Sequence, residues 1–199
     1  MIESDGLIAL QGALGDTDGA IAILGTGTIF ITRHLGAVRY IGGWGFAIGD
    51  LGSGARLGQM ALQESLLAFD RITTGSALTE ALLSEFNNEP GAMVEFARAA
   101  TPGAFGRYAP AVFEHAARGD AVATDILKRS AATIDAALDR VVSDISDAPI
   151  SLLGGLGPLV APWLAGRHQP RFVTPAADAL TGAIALGISR YYSTVGVGA

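Results

Sequence analysis

Cysteine is absent from all 199 residues, which excludes a disulfide scaffold, a thiolate zinc site and a cysteine-ligated iron–sulfur cluster. Cations are sparse: 13 Lys plus Arg against 19 Asp plus Glu give a formal net charge of −6, and no basic cluster occurs. A nucleic-acid footprint needs a basic stripe, so no nucleic-acid partner is expected, and any phosphate must be held mainly by backbone amides and a metal. Met1-Ile2-Glu3-Ser4-Asp5 lacks the basic and apolar regions of a signal peptide, which makes the cytoplasm the expected location. Ala148 through Gly166 carries no charge and is long enough to span a bilayer. Pro149, Pro158 and Pro162, with Gly154, Gly155 and Gly157 between them, would break a spanning helix, so no membrane partner is expected. Internal repeats and low-complexity linkers are lacking as well.

What the chain has in quantity is glycine, 27 residues of it, with 50% hydrophobic residues. That combination predicts a tightly turned α/β protein, long enough for one large domain or two small lobes. The spacing of Leu7, Leu10 and Leu14 predicts a helix over Gly6 to Leu14. Apolar runs predict strands at Ala20 to Leu24, Ile29 to Arg33 and Val38 to Ile41, most simply a β-meander. From Ser53 to Phe69 the period changes to helical, and helix dominates to Ile145. Asp120 caps a long helix whose Leu127, Ala131, Ile134, Leu138, Val141 and Ile145 form one apolar stripe, read as core. A strand at Ile150 to Leu153 follows, then Gly154-Gly155-Leu156-Gly157 and a helix beginning near Pro158, a residue favoured in a first turn, and this corner with its helix terminus is expected to favour an anion. A short strand at Arg171 to Val173 leads to a terminal helix containing Asp178, Gly182, Ala183 and Gly187.

Three glycine-centred runs carry the chemistry. Leu24-Gly25-Thr26-Gly27-Thr28 follows a strand, so its N–H groups can turn toward an anion while a threonine hydroxyl adds a donor. A Gly-x-Gly taken alone is more often only a tight turn. Gly42-Gly43-Trp44-Gly45 presents an indole, and Gly49-Asp50-Leu51-Gly52-Ser53-Gly54 supplies a carboxylate in a loop entering a helix; together they suit a sugar. The plainer alternative makes Trp44 a core anchor and Asp50 a helix cap. Asp5 on its own reads as a helix N-terminal acid favoured by the dipole. His34, His115 and His168 are too scattered for a metal site and read as solvated or locally bonded.

In order and spacing these motifs resemble the BadF/BadG/BcrA/BcrD-type ATPase family, and within it the N-acetylglucosamine and glucosamine kinases of the actin/hexokinase/Hsp70-like superfamily. The resemblance runs from Ser4-Asp5-Gly6 through the three glycine runs, Gly119-Asp120 and Gly154-Gly155-Leu156-Gly157 to Gly182-Ala183. It implies an α/β actin-like ATPase (ribonuclease H-like) fold, mainly the second lobe with most of the first missing. Residues 1–14 would be the remnant of the first lobe and residues 15–199 the second. It implies phosphorylation of an amino sugar at the 6-hydroxyl, with ATP and Mg²⁺ as cofactors. Asp5 would be the base, with Gly43, Trp44, Gly45 and Asp50 beside it on the sugar. Gly25, Thr26 and Gly27 would hold phosphates, and Gly154, Gly155 and Gly157 would lie by the adenosine, with Ala116 bordering the base. The metal would bind through ATP, no metal being held by the protein alone, and a homodimer is implied by related kinases. The chain departs from the family in having no Asp-Gly-Gly-x-Thr phosphate loop, which leaves a noncatalytic sugar or nucleotide binder, or an inactive relative, as the alternative. Zero cysteine sets it apart from the cluster-bearing dehydratase activators of the same family.

Overall fold

The computed structural model describes residues 4–145 and 147–195. Met1-Ile2-Glu3, read above for targeting, lies outside the described residues. Helix α1 (Asp5–Leu14) is capped by the Ser4 hydroxyl, which accepts from the Leu7 amide. The chain then enters a mixed sheet of order β3-β2-β1-β4, made of β1 (Gly19–Leu24), β2 (Thr28–His34), β3 (Ala37–Gly42) and β4 (Ile150–Leu153). The first three strands form the expected antiparallel meander, and β4 adds parallel to β1 with Ala20 opposite Ile150.

Alternation along β1 assigns the two faces of this sheet. Ala20, Ala22 and Leu24 point to a cluster with Ile134, Leu138 and Val141 of α7 (Ala121–Val142), while Ile21 joins Leu10, Ala13 and Leu14 of α1 on the opposite side. The α7 stripe is core as its spacing predicts: Ile134 and Leu138 are fully buried, each burial contributing about 1.5–3 kcal/mol. Ile145 is also buried but lies beyond the end of the helix. On the α1 side, α9 (Ala179–Val195) crosses α1 at backbone contact, since a Cβ on Gly182 would lie 2.1 Å from the Ile8 carbonyl oxygen.

Between β3 and α7 the chain builds a helical layer: α2 (Gly54–Phe69), α3 (Ala77–Glu85), α4 (Pro90–Ala99), α5 (Pro102–Gly106) and α6 (Ala109–Ala117). These pack around Leu57, Leu78, Leu82, Met93 and Ile126, all buried. Ser53 and Asp120 are the N-caps of α2 and α7, the second of them as the sequence predicts.

Two expectations need correction. The segment Arg171 to Val173 is not a strand: a 3₁₀ turn covers Gln169–Arg171, and one parallel bridge joins Phe172 to Ile150. Helix α8 (Gly157–Val160) is a single turn, so it has almost no macrodipole to offer an anion. Of the two readings offered for the histidines, His168 takes the local one: its side chain is 2% exposed, with Nε2 3.2 Å from Asp139 and 3.8 Å from Asp135. Among the described residues, no helix is long and apolar enough to cross a membrane.

Candidate functional site

Because β1 and β4 run parallel, the loops that follow them leave the sheet at the same end. They are joined there. The Leu156 amide donates to the Leu24 carbonyl (3.0 Å), and Gly154 makes this possible: with φ 82° and no Cβ, it sits where a Cβ would be 2.4 Å from the Leu24 oxygen. The turn after β1 is fixed from its other side by α2, whose first amides, Gly54 and Ala55, donate to the carbonyls of Gly25 (2.8 Å) and Thr26 (3.3 Å). With those carbonyls turned toward the helix, the N–H groups of Thr26 and Gly27 have no backbone acceptor among the described residues. Turn amides left without a backbone acceptor are the groups that an anion can engage.

A cavity of about 390 Å³ opens between the two turns. Gly25, Thr26 and Gly155 line it, with Gly54, Gly106 and Ala109 across from them. Gly154 and Gly157 lie behind this wall: Gly154 against Leu24, and Gly157 against the Leu152 backbone. Ala116, on α6, packs into the helical core and does not line the cavity.

Gly43, Trp44, Gly45 and Asp50 lie in the loop between β3 and α2. Trp44 is 78% exposed, so it is no core anchor. Trp44 and Asp50 line a second cavity, of about 380 Å³, floored by Thr28 and Phe30 and closed on one side by Ala136 and Ala137 of α7. Asp50 is not the cap of α2, a task that falls to Ser53. It holds φ at 54°, a conformation that non-glycine residues adopt at a cost, and its Oδ2 is 3.0 Å from where a Gly27 Cβ would stand. The carboxylate therefore faces the phosphate-type turn and the Trp44 cavity together.

Asp5 is not brought to either cavity. It is exposed at the start of α1, where Ser4 hydrogen-bonds the Tyr40 hydroxyl (2.9 Å) and Gly6 abuts Ile31, on the sheet face opposite Phe30. Gly43 approaches that same face, since its Cβ would meet Ile29 at 2.8 Å. Among the described residues, no group of three or more His, Asp or Glu could hold a metal ion.

Sequence reasoning missed Arg56. Its Nε donates to the Gly49 carbonyl (3.0 Å), its Nη1 donates to Gln59 (2.7 Å), and its guanidinium lies 4.9 Å from the Phe46 ring centre. The available signal was a cation two residues into the helix that follows the Gly49-Asp50 turn.

A mixed sheet of this order, with glycine turns meeting beyond parallel strands, defines an α/β protein of the actin-like ATPase class. Residues 1–158 match the BadF/BadG/BcrA/BcrD ATPase family, and the chain belongs to that family. It is 33% identical over 183 residues to the glucosamine kinase GspK of Vibrio cholerae, an alignment that covers 92% of this chain and 62% of that protein. Among solved structures, a Chromobacterium violaceum protein to which N-acetylglucosamine kinase activity is ascribed superposes with a TM-score of 0.83 at 38% identity, over 92% of this chain and 64% of that one. A ROK-family glucokinase of Streptomyces griseus superposes with a TM-score of 0.53 at 18% identity, over 93% of this chain and 66% of that one, which shows a shared fold. The chain thus spans less than two thirds of the length of GspK and of the Chromobacterium protein.

Proposed function

We propose that this chain carries the nucleotide- and sugar-binding elements of an amino-sugar kinase, which transfers a phosphoryl group from ATP to the 6-hydroxyl of glucosamine or N-acetylglucosamine. The observation that carries this reading is the meeting of two glycine turns around one cavity, with the Asp50 carboxylate bordering both that cavity's phosphate-type turn and a second cavity beside Trp44. Phosphoryl transfer needs little covalent chemistry from the protein; it needs donor and acceptor held in line.

The residues fit a nucleotide. Free amides at Thr26 and Gly27, with the Thr26 hydroxyl, suit phosphate oxygens, and Gly155 leaves room for the ribose side without a side chain. ATP would supply the phosphoryl group, and its Mg²⁺ would be held through the phosphates. The exposed indole of Trp44 offers a flat face to a sugar ring, and Asp50 can accept hydrogen bonds from its hydroxyls. Assigning residues 1–14 to a first lobe and Asp5 to the role of base rests on the family resemblance. A carboxylate there would orient the 6-hydroxyl and take its proton.

One observation favours a second reading, binding without transfer: Asp5 lies outside both cavities. The two readings separate in one experiment. ³¹P spectra of the protein with Mg-ATP and either amino sugar should show a sugar 6-phosphate, lost in Asp5→Asn while sugar binding persists. Binding of both ligands with no product would establish the second reading, and binding of neither would end both.

A further inference from the structure

Among the described residues, one charged side chain hydrogen-bonds to the loop that carries Trp44 and Asp50, and that side chain has no place yet in the proposed chemistry. Gly45 and Gly49 close the loop on itself through a Gly49 amide to Gly45 carbonyl bond of 2.7 Å. Gly49 is buried so tightly against Trp44 that a Cβ there would lie 2.9 Å from the Trp44 Cβ. The carbonyl of this same Gly49 accepts from Arg56 Nε (3.0 Å). Arg56 is fixed in turn at its other end by Gln59, one turn along α2, and across its flat face by Phe46, whose ring stands 5.2 Å from that of Phe105. Asp50 follows directly, in its left-handed conformation.

A planar guanidinium with one donor on the loop and another on the helix converts a glycine-rich turn into a rigid platform. We infer that Arg56 is a positioning residue for the amino sugar: it sets the Gly49 peptide, and through it the direction of the Asp50 carboxylate and the Trp44 ring. This rests on the reading of Trp44 and Asp50 as the sugar side of the site. Arg56 itself lines neither the Trp44 cavity nor the Thr26 cavity, so it acts only through the loop. The phosphate-type turn is tied instead to the Gly54 and Ala55 amides, which do not depend on the Arg56 side chain.

The two ligands should therefore respond differently. Calorimetric titrations of the full chain with N-acetylglucosamine, with glucosamine and with Mg-ATP are compared for the unaltered protein, Arg56→Met and Arg56→Lys. Arg56→Met should weaken amino-sugar binding at least tenfold and leave Mg-ATP within twofold; Arg56→Lys, which keeps a donor for the Gly49 carbonyl, should recover part of the loss. Phe46→Leu removes only the stacked ring and should give a smaller loss of the same kind, so it carries the comparison if Arg56→Met does not fold. Unchanged sugar affinity in Arg56→Met, or an equal fall for sugar and Mg-ATP, overturns the inference while leaving the kinase reading intact. An unaltered chain that binds Mg-ATP but neither sugar overturns both.

Discussion

The amide of Leu156 donates to the carbonyl of Leu24 across 3.0 Å, and this contact makes the turns after β1 and β4 one wall rather than two separate loops. It requires the absence of a side chain at Gly154. Gly154→Ala would place a methyl group 2.4 Å from the Leu24 oxygen on a residue already at φ 82°. The left-handed backbone alone costs about 1–2 kcal/mol for a non-glycine residue, so urea unfolding should show at least that loss. Mg-ATP affinity should fall with it, because the wall that carries Gly155 has to move.

Asp50→Asn separates charge from backbone geometry. Asparagine tolerates positive φ as well as aspartate does, so stability should stay within about 0.5 kcal/mol. Amino-sugar affinity should drop while Mg-ATP affinity changes little. A stability loss comparable to that of Gly154→Ala would mean that Asp50 supports the fold.

His168 should make stability depend on pH. Burial pushes its imidazole below the ordinary value, although Asp139 (3.2 Å from Nε2) and Asp135 attract a proton to it and Arg167 and Arg171 oppose one. The folded protein thus holds His168 neutral where the unfolded chain, with a pKa of about 6.5, takes up a proton. Its contribution is complete above that value and declines as pH falls below it. Chemical denaturation between pH 7.5 and 5 should show this decline, and His168→Gln should flatten it.

Most of the fold was legible because its signals are local. The apolar run of β1, the cap at Asp120 and the stripe from Leu127 to Val141 each follow from the residues that bear them. Phe172 was harder to read: it bridges one position of the sheet, Ile150, and no local pattern distinguishes a single bridge from a short strand. The meeting of the Thr26 and Gly155 turns follows once β4 is placed parallel to β1, which the chain order of strands suggests but does not compel. The face of the sheet that α1 takes was not legible, since its apolar spacing would suit either side, and that choice separates Asp5 from the Trp44 cavity. Arg56 escaped notice because its partner is a backbone carbonyl, invisible in any pattern of residue types.

The most direct test asks whether one nucleotide touches both glycine turns. In an amide NMR titration with Mg-ATP, the signals of Thr26, Gly27 and Gly155 should shift together along a single saturation curve, with Trp44 left largely in place until an amino sugar is added. Shifts confined to one turn, or separate saturation of the two, would contradict the shared nucleotide cavity on which the proposed function depends.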